Sequence, residues 1–214
     1  MATADIMASL GIDSLVVDEL FTRNAAGHFV DPSGARVVLV AAETTRGFRR
    51  VLEAAEPGAW SIAMKATGAS CGGKIAAGLD ATLAQLGKPG LAALPLEACL
   101  LLLEHSFAAY GWGQLRVDLT DAADHGFVVA RLEHSPSVEN LADVDDFADP
   151  FFAGILQGFF IYISGQTLGC EEIACARRGA PHCAFVITDP GRLATIGAWL
   201  GREPADTLLA RLRQ

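Results

Sequence analysis

The apolar positions of this chain recur at helical spacing over much of residues 42–110 and alternate in several stretches beyond, which predicts helices first and strands later. Before them, residues 1–34 read as two short helical pieces and a turn at Asp31-Pro32-Ser33-Gly34. Residues 36–41 (RVVLVA) are β-branched and short, hence a strand. Thr44 or Thr45 is then expected to cap a helix through about Ala55, stopped by Pro57. Residues 58–86 are Ala-rich with helical spacing and are expected to break or kink near Cys71-Gly72-Gly73. Residues 95–110 (PLEACLLLLEHSFAAY) open with Pro and an early Glu; the Leu run covers every face, so this helix should be buried.

The period then changes. Residues 114–119 (QLRVDL) and 126–133 predict two strands joined through Asp121–Gly126. Residues 149–165 predict a helix with Asp149 as N-cap and Pro150 at its first position. Residues 168–176 and 182–188 predict a final strand pair, and Asp189-Pro190 starts C-terminal helices, with another over residues 202–214. The class is α+β: a mostly antiparallel sheet packed with helices, in a single domain.

Composition changes this picture in one place. Of 214 residues 51% are hydrophobic and 19% charged, and residues 150–170 carry no formal charge at all, a length that could span a bilayer. Four glycines, two glutamines, Ser164 and Thr167 interrupt that stretch, and Asp145, Asp146, Asp149, Glu171 and Glu172 flank it. No positive anchor stands at either end, so a buried helix running into a strand is expected instead of a membrane span. The net charge of −9 argues against general nucleic-acid binding, which needs a basic face. No Lys or Arg precedes Arg23, and the five cysteines are scattered. The expectation is a cytoplasmic protein with reduced thiols.

The chemistry concentrates in residues 169–187, GCEEIACARRGAPHCAFVI. Cys175 and Cys183 flank a tight turn, and Glu172 stands three before Cys175. Two thiolates and a carboxylate suit Zn²⁺. In an ideal strand, however, Glu171 and not Glu172 shares the face of Cys175, and His182 points away from Cys183. Two small buried thiols in a hairpin explain the spacing equally well.

The pattern Glu172-x2-Cys175-x3-Gly179-x3-Cys183, followed by AFVI, resembles the C-terminal signature of the 4-vinyl reductase domain family. Gly154, Gly158 and Gly165 stand where that family has small residues in the preceding apolar helix, so the resemblance covers about residues 149–188. It implies an α+β fold that dimerises and encloses a pocket for small hydrophobic molecules. The family includes 4-vinyl protochlorophyllide reductase proteins of bacteriochlorophyll synthesis, sensor domains of aromatic-responsive regulators, and distant vesicle-tethering subunits. In the aromatic sensors a zinc ion is held by the matching Glu, two Cys and a further Cys before the glycine-bearing helix. Here that last position is Asp149, which either ligates or caps the helix.

The pocket implied by the resemblance would draw on Phe151, Phe152, Phe159, Phe160 and Tyr162, with Trp112 and Trp60 completing the wall and His105 on the Leu-rich helix. Ordinary core packing is the alternative for each. Gly154 and Gly158 admit either a ligand or another helix, within the chain or across a dimer. The domain reading is a helical extension over 1–34, the family-like domain over 35–190 and C-terminal helices over 191–214. The function expected is binding of a small hydrophobic or aromatic molecule, as carrier, presenter or sensor, in a homodimer with a zinc staple. An enzyme or accessory factor acting at a vinyl group is the alternative, and a protein–protein tether a second. Vinyl reduction needs a hydride or electron source, and no nicotinamide, flavin or iron–sulfur motif stands in the sequence.

Overall fold

A computed structural model describes residues 9, 22–23, 25–31, 36–38, 40–141 and 147–214. Strands β1 (Thr22–Arg23), β2 (Phe29–Val30) and β3 (Arg36–Val37) form a small antiparallel sheet. Helices α1 (Ala42–Ala55), α2 (Ala59–Gln85) and α3 (Leu96–Ala109) follow. The main sheet contains β4 (Gln114–Asp118), β5 (Val128–Glu133), β6 (Gly169–Ala174) and β7 (Cys183–Thr188), all antiparallel, in the order β4-β5-β7-β6. Short helices α4 (Ala122–His125) and α5 (Pro136–Asn140) lie in its connections, α6 (Pro150–Ser164) precedes β6, and α7 (Pro190–Ile196) and α8 (Ala205–Leu212) end the chain.

The sheet is covered on both faces. On the inner face Leu115, Ala130, Leu132, Phe185 and Ile187 join buried residues of α2, α3 and α6, including Leu103, Phe107, Phe152, Ile155 and Phe159. On the outer face Val129, Ala184 and Val186 pack with Leu193 and Ile196 of α7 and Leu208, Leu209 and Leu212 of α8. The period-2 alternation of β5 and β7 therefore supplies two cores, which explains why all six residues of β7 are buried.

Several local expectations are corrected. The helix after β3 begins at Ala42, with Ala41 at its N-cap and no side-chain cap, so Thr44 and Thr45 lie inside it. The preceding strand is Arg36–Val37 only, and Val38 and Val40 are exposed. Thr22–Arg23 and Phe29–Val30 are strands, so the helical reading fails there; apart from Ser9, which is helical, the helical reading before residue 22 lies outside the described residues, as do most of the turn at 31–34 and the acidic flank Asp145-Asp146.

No break occurs at Cys71-Gly72-Gly73: α2 is helical through all three residues. Gly72, together with Gly68 one turn before it, serves close approach, whereas Gly73 faces open space. A Cβ on Gly68 would meet the Phe151 carbonyl oxygen, and one on Gly72 that of Ile155. From the other helix, a Cβ on Gly154 would meet the Lys65 carbonyl and one on Gly158 that of Ala69. Two small-x3-small pairs thus lock α2 against α6 backbone to backbone within one chain. This settles what Gly154 and Gly158 approach. The charge-poor stretch is likewise accounted for: α6 ends at Gly165 in the left-handed conformation, and β6 follows. Among the described residues no helix is long and apolar enough to cross a membrane.

Candidate metal centre

The hairpin β6–β7 brings the predicted ligands together through a defect in its ladder. Glu172 pairs with Phe185 and Ala174 with Ala184, so Ile173 is an extra residue. This β-bulge turns Ile173 and Ala174 both toward the outer face, where they contact the outer core. Glu172 and Cys175 consequently share the inner face, although strict alternation separates them. Glu171 instead meets Lys65 of α2 at 2.6 Å. Beyond the bulge, Gly179 at φ 89° closes the turn in the left-handed region that favours glycine and returns the chain to Cys183.

Oxygen or sulfur atoms of Glu172, Cys175 and Cys183 lie within 4.8 Å of one another. The two sulfurs are 3.9 Å apart, and the Ala176 amide points at Cys183 Sγ at 3.4 Å. Asp149 stands beside this cluster at the start of α6, but its carboxylate is not among the three donors that lie within 4.8 Å of one another. It occupies the N-cap with Pro150 after it, as expected, but its side chain makes no cap hydrogen bond. Its Oδ1 accepts from Ser135 Oγ at 2.6 Å, and its amide donates to Glu172 Oε2 at 2.9 Å. Asp149 and Cys183 are 0% exposed, Cys175 1% and Glu172 5%.

Asp149 Oδ2 and Glu172 Oε1 are buried without a hydrogen-bond partner. Burial pushes both carboxyls above their usual range, and for Glu172 the neighbouring Asp149 charge adds to the push. The Cys183 thiol, hydrogen-bonded to Cys175, draws Cys175 down to about 6, and Cys183 is held up in return. Two carboxyls and two thiols buried together, with Lys65 spent on Glu171, meet no compensating charge among the described residues, and a divalent cation would supply one. The donor set suits zinc, whose bonds of about 2.3 Å to sulfur at a tetrahedral angle hold two sulfurs roughly 3.8 Å apart.

The predicted ligand-binding residues separate into groups. Trp112, Phe151 and Phe152 come together with Phe107: Trp112 stands 6.0 Å from Phe151 and 5.7 Å from Phe152 between ring centroids. Phe159 and Phe160 pack edge to face deeper in the inner core. His105 is exposed on α3, and Trp60 belongs to a small separate cluster with Leu141. Two cavities, of about 580 and 270 Å³, flank the hairpin, and none of these aromatic residues lines either. Ser135 was missed by sequence reasoning. Its signal was the Ser-Pro start of α5, where Ser135 Oγ accepts from the Ser137 amide while donating to Asp149.

Residues 128–189 match the family model of the 4-vinyl reductase domain. Among solved structures, the crystal structure of the phenol-responsive sensory domain of the transcription activator PoxR, with phenol, is similar at 18% identity and a TM-score of 0.64, over 100% of this chain and 98% of that one. A vinyl-4-reductase family protein from Methanocaldococcus jannaschii is similar at 15% identity and a TM-score of 0.46, over 71% of this chain and 83% of that one. No curated protein matches the sequence. The PoxR likeness establishes a shared fold.

Proposed function

We propose, for a chain whose residues 128–189 form a 4-vinyl reductase domain, that it binds a small hydrophobic or aromatic molecule as a carrier, presenter or sensor. The observation that carries this reading is the end-to-end likeness in fold to a phenol-responsive sensory domain. The wall proposed for the ligand is the aromatic group of Phe107, Trp112, Phe151 and Phe152, between α3, α6 and the sheet. These rings now fill one another's space, so a guest enters by displacing them, and the apolar lining selects molecules with few polar groups. His105, exposed on α3, has no part in this wall.

Asp149, Glu172, Cys175 and Cys183 are proposed to hold a zinc ion as a structural staple. The two partnerless buried oxygens beside two thiols support this reading. Bound there, the metal would neutralise the cluster and tie the start of α6 to the β6–β7 hairpin. Reduced thiols of this kind fit a cytoplasmic protein. The proposed assembly is a homodimer, for which the exposed Phe48, Val51 and Ile62 offer apolar surface.

Native mass spectrometry of protein purified without chelator, with metal analysis, tests both parts. The expected result is one zinc per chain and an apolar adduct, or uptake of phenol or toluene when these are added. Protein that takes up neither metal nor aromatic probe would overturn the proposal.

A further inference from the structure

The larger cavity lies on the outer face of the sheet, away from the aromatic group. Its floor is apolar, built from Val129, Ile173, Ala174, Ala184 and Leu209. The β-bulge makes part of that floor, because it turns Ile173 and Ala174 to the same side. Around the floor stand Arg131, Arg178, Arg202 and His182, with the carboxylates Glu203 and Asp206.

These arginines differ in what they already do. Arg131 donates to Asp118 at 3.1 Å. Arg178 donates to the Gly201 carbonyl at 2.7 Å and lies 5.1 Å over the Phe147 ring. Arg202 is exposed, and its side chain engages in no hydrogen bond or ion pair among the described residues. An unspent guanidinium at the edge of an apolar floor presents a planar fork that a carboxylate matches bidentately. The volume, about 580 Å³, lies inside the range of small-molecule sites. Glu203 and Asp206 offset much of the local positive charge, which disfavours phosphates and other polyanions and leaves room for a single negative charge.

We propose that this cavity binds a small monocarboxylate with an apolar body, its carboxylate on Arg202 and its hydrocarbon over Ile173, Ala184 and Leu209. The site is separate from the aromatic wall of the inner core and does not depend on a ligand binding there.

Benzoate and its neutral counterpart benzyl alcohol are the probes, read by calorimetry and by methyl NMR of the full chain. Benzoate is expected to bind at least about tenfold more tightly than benzyl alcohol, the worth of a charge-assisted pair. It should shift the methyls of Val129, Ile173 and Leu209, leaving those of Leu103 and Ile155 in place. Arg202→Glu, at an exposed position, should weaken benzoate about tenfold or more without moving the melting temperature. Ala180→Phe, which fills the cavity from its wall, should block benzoate with Arg202 intact. Equal affinity for the two probes, no binding, or indifference to both substitutions would overturn the proposal. Shifts confined to Leu103 and Ile155 would also overturn it, while favouring an inner-core ligand.

Discussion

At the scale of single residues, the decisive feature is Ile173. An extra residue in β6 changes which carboxylate faces the thiols: Glu172 goes inward, and Glu171 goes to Lys65. The proposed metal set then makes separable predictions. Cys175→Ser or Cys183→Ser should lower zinc content and melting temperature together, because a structural metal contributes folding free energy; unchanged zinc in both variants would exclude the site. Asp149→Asn distinguishes metal-loaded from metal-free protein. Without metal it removes a buried, poorly compensated carboxyl and should raise the melting temperature; with metal it deletes a ligand and should lower it. Melting curves of both forms, recorded side by side, read the difference in sign.

At the scale of elements, the α2–α6 crossing and the α8 anchor carry the packing. Gly72→Ala forces a Cβ into the Ile155 carbonyl and should cost on the order of 2–3 kcal/mol by urea titration, as overpacking a tight contact does. Gly73→Ala, one residue on, faces open space in the same helix and should stabilise by about 0.5–1 kcal/mol. The opposite signs at adjacent positions test the crossing against helix propensity alone. At the far end, Arg213 after α8 donates two hydrogen bonds of 2.8 Å to Asp121 at the start of α4. These hold the Asp121 carboxyl below its usual range. A depressed carboxyl contributes stability that is present above the unfolded-state carboxylate pKa and lost as pH falls through the folded one. Asp121→Asn should therefore melt below the parent at pH 7, and the gap should close as the solution is acidified toward pH 2. A gap unchanged with pH would show that Asp121 acts through something other than its charge.

At the scale of the whole molecule, one four-stranded sheet separates two differently built compartments. The inner one is filled by three helices and the aromatic group, while the outer one, under α7 and α8, retains the larger cavity. A ligand that binds only the folded chain raises its melting temperature by mass action, so a titration with phenol should shift the melt if the inner compartment takes it. The class, the order of the longer elements from residue 42 on and the hairpin with its Glu and Cys pattern were legible in the sequence, since turn residues, caps and apolar period are local properties of the chain; the short strands at 22–23 and 29–30 and the short helices α4 and α5 were not. The N-cap of α7 at Asp189 shows such a local property directly: its side chain accepts from the Gly191 and Arg192 amides where the Asp-Pro pair predicted a helix start. What the three-dimensional arrangement alone decided is non-local. That Gly72 serves a crossing and not a helix break depends on α6, more than seventy residues away. That the Asp149 side chain, at the N-cap of α6, meets Ser135 instead of the first amides of its helix depends on separate segments converging. That Glu172 faces Cys175 depends on a ladder irregularity, for which residues 171–175 carry no marker in their types; alternation along an isolated strand cannot reveal a bulge that exists only in its pairing with β7.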